Sequence, residues 1–163
     1  MIKELVDVLD DAGQPLRAVP RAEAHAHGLL HRCVHVLVQT PDDRLWLQKR
    51  ALDRALWPGL WTSSASGHVD AGETEAAAAG REGREELGFD VQPRRVGEFR
   101  YRDAHEHEQA SVWVATSDAK PRPGPEVMAV MAVGKEELAT LRARLPGWFT
   151  PTLLEALKVA GWA

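Results

Sequence analysis

The chain contains a single cysteine, Cys33, among 163 residues. That excludes an internal disulfide and makes a reducing compartment the natural setting. It has no excess of positive charge. Lys and Arg number 20 against 24 Asp and Glu, a formal net charge of −4, so the broad basic face that a nucleic-acid polymer requires is not expected. No apolar run approaches the roughly 18 residues of a membrane span, and the opening "MIKELVDVLDD" has no apolar signal core. There is no internal repeat. These absences lead to the expectation of a cytoplasmic protein with one domain over residues 1–163, no membrane partner and an oligomeric state left open. What is present suits that expectation: 44% apolar and 27% charged residues are ordinary for a globular chain able to bury a core.

Along the chain, "ELVDVLD" alternates and leads through "DAGQ" to "PLRAVP", which predicts an N-terminal hairpin. "RAEAHAHGLL" is a short helix candidate. "HRCVHVLVQT" and "RLWLQKR" flank "PDD" and predict a second, buried hairpin, and "LWTSSASGHV" a short strand running into a loop. A helix is expected from about Glu73 to Leu87, stopped by Gly88. "RRVGEFRYR", "QASVWVAT" and "EVMAVMAV" read as strands. The proline-rich "DAKPRPGPE" reads as a surface loop. "KEELATLRARL" and "TPTLLEALKVAG" read as helices, the second with Thr150 as N-cap and Pro151 at its first position. The order gives a mixed α/β domain.

Within "GHVDAGETEAAAAGREGREELGF", Glu82, Glu85 and Glu86 project from one side of the predicted helix. The other side carries Ala76, Ala79, Gly80, Gly83 and Leu87, small enough for close packing. Two interior glycines cost about 2 kcal/mol relative to alanine, and close approach to a sheet would offset that. Crowded acids on a helix face repel. Either they form a solvated face with an Arg81–Glu85 ion pair, or they hold a divalent cation such as Mg²⁺, which takes carboxylates and bridges to phosphates.

The longer spacing favours the cation. Gly67, Glu73, Arg81, Glu82, Glu85, Glu86 and Gly88 fall on the pattern G-x5-E-x7-R-E-U-x-E-E-x-G-U, with U an apolar residue. The segment resembles the Nudix box. Gly83 departs from it, standing where an apolar residue is usual. The resemblance implies an αβα sandwich with a mixed sheet, and metal-dependent hydrolysis of a small-molecule diphosphate. Glu82, Glu85 and Glu86 would hold Mg²⁺ or Mn²⁺, and Arg81 would orient Glu73 or a ligand carboxylate. Glu82 or Glu85 would help deprotonate the attacking water.

"KRALDRALWPGLWTSSASGHVDAGE", "EFRYR", "HEHE", "EVM" and "GWFTP" are in addition similar to the type I isopentenyl diphosphate isomerase branch of that superfamily. This likeness implies a second divalent site, for Mn²⁺ or Zn²⁺, from His31, His68, Glu106, Glu108 and a third histidine. His25 is the candidate for the third, with the spacing leaving His27 open. It also implies diphosphate contacts from Arg50 and Arg54, and substrate contacts from Tyr101 and Trp148. Two departures separate the chain from the isomerases. Ser66 stands where they have an acid/base cysteine, and a hydroxyl cannot share a proton near neutral pH as a thiol does. Glu82 stands where their box has a basic residue. The expectation is therefore a Nudix hydrolase, with Glu108 as second-site ligand or general base. An isomerase working through Ser66 and a water is one alternative; a non-catalytic diphosphate clamp is the other.

Overall fold

A computed structural model describes residues 4–163. Its organising element is β3 (His31–Gln39), which runs parallel to β8 (His107–Thr116) along its whole length, with His31 opposite Glu108 and Gln39 opposite Thr116. Its other edge takes β6 (Ala65–His68) antiparallel. Side chains on a strand alternate, and here the alternation separates two cores. Val34, Val36 and Val38 pack with Ala78, Ala79 and Leu87 of α2 (Glu75–Leu87). On the opposite face, Leu37 packs with Leu138 of α3 (Lys135–Arg144) and with Leu153 and Leu157 of α4 (Pro151–Val159). The result is the expected αβα sandwich.

The N-terminal hairpin forms as predicted. β1 (Leu5–Leu9) pairs antiparallel with β2 (Pro15–Pro20). The turn is held by the Asp10 carboxylate, which accepts the backbone N–H groups of Ala12 and Gln14 at 2.9 and 2.8 Å, a turn-forming habit of aspartate. Val6, Val8 and Val19 close over Ala24 of the short helix α1 (Arg21–Ala26). β7 (Arg94–Arg102) extends the sheet antiparallel to β8. Among the described residues no helix is long and apolar enough to cross a membrane.

Two expectations are corrected. The second hairpin exists only at its base, where Gln39 meets Leu45; β3 and β4 (Leu45–Arg50) then diverge. β3 has both edges occupied by β6 and β8, so β4 turns instead to β9 (Val127–Val133) and to β5 (Trp61–Thr62). "LWTSSASGHV" is therefore two short strands, β5 and β6, one serving each half of the split sheet. The split is where the cleft opens.

Helix α2 begins at Glu75, two residues later than expected. The Thr74 hydroxyl caps it by accepting the Ala77 N–H at 3.1 Å, and Gly88 ends it at φ 79°, a left-handed conformation that glycine adopts without strain. Thr150 caps α4 in the same way, accepting from Leu153 N–H at 3.2 Å, with Pro151 following. The packed face of α2 differs from the expected one. Ala76 is exposed and Gly80 half-buried, while Ala78, Ala79, Glu82, Gly83, Glu86 and Leu87 are buried. Two of the three acids thus share the packed face. Of the two interior glycines, Gly83 is tightly approached, by Val91 rather than by the sheet. A Cβ there would come within 2.7 Å of the Val91 Cγ2, so Val91 supplies the apolar group that the box pattern places at 83. At Gly80 a Cβ would meet nothing closer than 3.6 Å, and close approach does not explain that glycine.

Candidate active site

A cleft of about 1000 Å³ lies at the split in the sheet, on the face that carries α4. Its acidic wall comes from α2. Glu82 and Glu85 line it, Glu82 almost buried at 8% exposure and Glu85 with 57% of its side chain exposed. Glu86, 5% exposed, lies behind them, where its carboxylate accepts from the Gln48 amide at 2.7 Å and from Ser66 N–H at 3.1 Å. Glu86 borders a second, smaller cavity of about 290 Å³ shared with Glu85 and Glu126. Burial pushes the Glu82 carboxyl up to about 7, with Arg81 acting against the shift. It pushes Glu86 up to about 8, helped by the neighbouring Glu82 charge. A carboxylate pair carrying that desolvation cost is relieved by a nearby positive charge.

Arg81 ties this wall together. Its Nε and Nη2 donate to the two Glu73 oxygens at 3.0 and 2.9 Å, Nη1 donates to Glu82 at 2.6 Å, and Nη2 also donates to the His68 carbonyl at 2.9 Å. A bidentate fork of this kind fixes both partners. The same Nη1 lies 3.5 Å from Glu85, so the sequence-expected ion pair is present as the weakest of these contacts. Gly67 makes room for the arrangement: a Cβ on it would overlap the Glu82 carboxylate.

The basic wall comes from the end of β4. Arg50 lines the cleft, held by donation from Nε to the Leu56 carbonyl at 2.8 Å. Arg54 also lines it and pairs with Glu126 at 3.0 Å. Arg21 joins them from α1, paired with Glu4 at 2.8 Å. Sequence reasoning missed Arg21, although it stands one helical turn before His25 and so on the same face of α1.

The histidine cluster forms the third wall. The side-chain nitrogens of His25, His31 and His68 all lie within 4.8 Å of one another. The structure brings in His25, the first candidate, rather than His27. His31 Nδ1 donates to the Leu29 carbonyl at 2.8 Å and His25 Nδ1 to the His105 carbonyl at 3.1 Å. A carbonyl only accepts, so on both neutral rings Nε2 carries the lone pair. His31 Nε2 is buried with no hydrogen-bond partner, and the Nε2 atoms of His25 and His68 face each other at 2.9 Å. Burial holds the basicity of both His31 and His68 below the ordinary range. Three converging imidazoles, one with a buried nitrogen that no protein group satisfies, fit a divalent transition metal.

Glu106 and Glu108 line the cleft beside these rings. Glu106 falls one residue before β8 begins, and accepts the Trp57 indole N–H at 3.3 Å; burial and the adjacent Glu108 raise its carboxyl. For Glu108 burial acts upward too, but the His35 ring and the Cys33 thiol more than offset it, and the carboxyl stays below its usual value. Its Oε1 lies 3.5 Å from His35 Nε2 and makes no hydrogen bond. Cys33, for which the sequence suggested no part in the site, is on the cleft floor beside Glu108, its thiol raised well above the ordinary range by burial. His31, Cys33 and His35 alternate along β3, and that period of two was the signal that could have located Cys33 and His35.

The two aromatic candidates for substrate contact, Tyr101 and Trp148, stand outside the cleft lining. Tyr101 turns its hydroxyl to Asp103 at 3.0 Å. Trp148, in the 3₁₀ turn Pro146–Trp148, is 45% exposed to solvent. In the register of β7 and β8 Tyr101 stands opposite Glu108 on the same face of the sheet, with its hydroxyl engaged by Asp103.

The NUDIX domain family model matches residues 29–159. Among relatives, a Nocardia farcinica protein named isopentenyl-diphosphate Delta-isomerase is 39% identical, over 95% of this chain and 93% of its own. A Pseudomonas aeruginosa protein named as an uncharacterized Nudix hydrolase is 36% identical, over 96% of this chain and 92% of its own. In fold, a crystal structure of a Deinococcus radiodurans protein is similar with a TM-score of 0.78 at 22% identity, covering 97% of this chain and 98% of that one.

Proposed function

The chain belongs to the Nudix family, and from that premise we propose that it hydrolyses the phosphoanhydride of a small diphosphate-containing molecule, releasing a monophosphate. The observation that carries this reading is the pairing of an acidic with a basic wall across one cleft: Glu82 and Glu85, backed by Glu86, against Arg50 and Arg54. Arg50 and Arg54 bind the diphosphate oxygens, and substrate draws Arg54 away from its partner Glu126. Glu82, Glu85 and Glu86 hold Mg²⁺ or Mn²⁺. A divalent cation there neutralises phosphate oxygens and makes water a better nucleophile near neutral pH. Arg81 keeps Glu73 and Glu82 in position. Glu82 or Glu85 accepts the proton of the attacking water. His25, His31, His68, Glu106 and Glu108 form a second site for Mn²⁺ or Zn²⁺, the donor set being supported by the unpartnered nitrogen of His31. Glu108 is the alternative base.

The isomerase reading has one favourable observation, the Cys33 thiol in the same cleft as Glu108. Yet moving a double bond takes an acid and a base on opposite sides of the substrate, and Cys33 lies directly against Glu108. Ser66 holds the position where the isomerases have their cysteine, and neither Trp148 nor Tyr101 is available on the wall to face a developing carbocation.

One assay separates the readings. Protein with Mg²⁺ or Mn²⁺ is incubated with nucleoside diphosphates, nucleotide sugars, dinucleotides and isopentenyl diphosphate, and anhydride cleavage and double-bond migration are scored separately. The hydrolase reading expects metal-dependent cleavage that drops by roughly 100-fold or more in Glu85→Gln. Dimethylallyl diphosphate without cleavage would establish the isomerase, and binding without either product would favour the clamp.

A further inference from the structure

Burial orders the cleft wall from rim to floor. The hydrocarbon surface is at the rim: Ala22, Ala26, Ala55 and Ala104 are exposed, and Leu56 and Trp57 half-buried. The floor is different. Beside the Glu108 carboxylate, its buried residues on the α4 side are Cys33, His35, Thr62, Thr150 and Thr152, with half-buried Ser66 opposite His35 in the register of β3 and β6. None of them carries an aliphatic group larger than a threonine methyl. Trp57 is the one Phe, Tyr or Trp among the lining residues described, and its ring is tethered to Glu106.

The hydroxyls at the floor keep donor capacity in reserve. Thr150 donates to Thr62 at 3.0 Å and Thr152 to Thr150 at 3.4 Å, while Thr150 also accepts from Leu153 N–H as the cap of α4. Three hydroxyl protons and two mutual bonds leave one proton, at the Thr62 end, without an acceptor among the described residues. Ser66 is fixed through its backbone, whose N–H donates to Glu86, so its hydroxyl is free to turn into the cleft. The Thr62 oxygen already accepts from Thr150, so what stays open is its proton, and a hydrocarbon placed against it offers no acceptor. A ligand hydroxyl supplies one.

We propose, building on the hydrolase reading, that the group attached to the diphosphate is hydroxylated, a sugar or polyol, and that it is received at the floor by Thr62, Ser66, Thr150 and Thr152. A prenyl chain meets polar groups there, and a nucleobase meets no free aromatic plate. The phosphates remain at Arg50, Arg54 and the box, so a hydroxylated group reaches inward from them. Sites built around a substrate hydroxyl reject the analogue lacking it by up to roughly 10⁴-fold.

The test uses Glu85→Gln protein with Mg²⁺, so that ligands bind with little turnover. Calorimetric affinities are measured for a nucleoside-diphosphate sugar, a sugar diphosphate without nucleoside, the matching nucleoside diphosphate, isopentenyl diphosphate and pyrophosphate. The proposal expects at least one of the two sugar-bearing ligands to bind roughly 100-fold tighter than the other three. The stronger of the two tells whether the sugar comes free or nucleotide-linked. Thr62→Val, introduced into the same protein, is expected to weaken the preferred ligand at least 10-fold without weakening isopentenyl diphosphate; Thr152→Val repeats the test at the far end of the hydroxyl chain if the first variant fails to fold by circular dichroism. Equal or tighter binding of isopentenyl diphosphate or of the nucleoside diphosphate overturns the proposal. So does selectivity that survives both substitutions, or failure of every sugar-bearing ligand to bind. Failure of the hydrolase reading looks different: wild-type protein would bind the sugar ligand selectively yet leave its anhydride intact.

Discussion

The acidic wall on α2 and the histidine cluster on α1, β3 and β6 face the same cleft, yet burial acts on them in opposite senses. On the acidic wall it raises Glu82 and Glu86, because the charged carboxylate is the form that burial penalises. In the cluster it lowers His31 and His68, because there the charged form is the protonated imidazole. Each wall is thereby biased toward neutrality without a cation. The acids need a cation to ionise comfortably, which suits a hard ion that tolerates oxygen ligands. The imidazoles already present lone pairs, which suits a borderline transition metal. The two proposed metal sites of this cleft would thus depend differently on pH and on metal type.

The largest expected effect is on the pH dependence of stability in metal-free protein. Glu82 and Glu86 titrate at about 7 and about 8 in the folded state, against roughly 4.3 in an unfolded chain. The folded state therefore binds more protons than the unfolded one, and stability falls as pH rises from about 4.5 to about 8, by on the order of a few kcal/mol. Chemical denaturation at stepped pH checks this. Saturating Mg²⁺ is expected to flatten the slope, and a flat profile in metal-free protein would remove the contrast between the two walls. Second is Gly67→Ala, which forces the Glu82 carboxylate from its seat. It is expected to cost about 1–3 kcal/mol of stability and to weaken Mg²⁺ binding while leaving Zn²⁺ binding in place, measured by thermal denaturation and calorimetry. Third, His31→Asn is expected to lower Zn²⁺ or Mn²⁺ affinity by roughly 10-fold or more without changing the Mg²⁺ effect on stability. Equal loss at both sites would mean the two walls act as one. The smallest effects belong to Tyr101→Phe and Trp148→Ala, each expected to change kcat/KM less than about 2-fold, because neither side chain lines the cleft.

Much of the chemistry was legible in the chain because it is local. Glu82, Glu85 and Glu86 are spaced for one helix, Thr74 and Gly88 bound it, and Arg81 reaches Glu73 across eight residues. What escaped was set by strand pairing. The β3–β4 hairpin was expected from two apolar runs around a turn, but each strand found longer partners elsewhere. Cys33 and His35 were overlooked because nothing in their immediate neighbours says that one face of β3 leaves the core and enters a cleft. Trp148, expected as a substrate contact, is 45% exposed and not among the lining residues.

Local spacing alone determined the helix, its glycine stop, the carboxylate set and the arginine that braces it, because contacts within a few turns follow from backbone periodicity. Only the tertiary structure decided that Glu86 stands behind Glu82 and Glu85, that His25 completes the cluster, and that threonine hydroxyls line the floor. Those outcomes depend on pairings between strands and loops distant in the chain, such as Thr62 with Thr150. They are selected by the burial energy of the whole sheet rather than by any short stretch of residues.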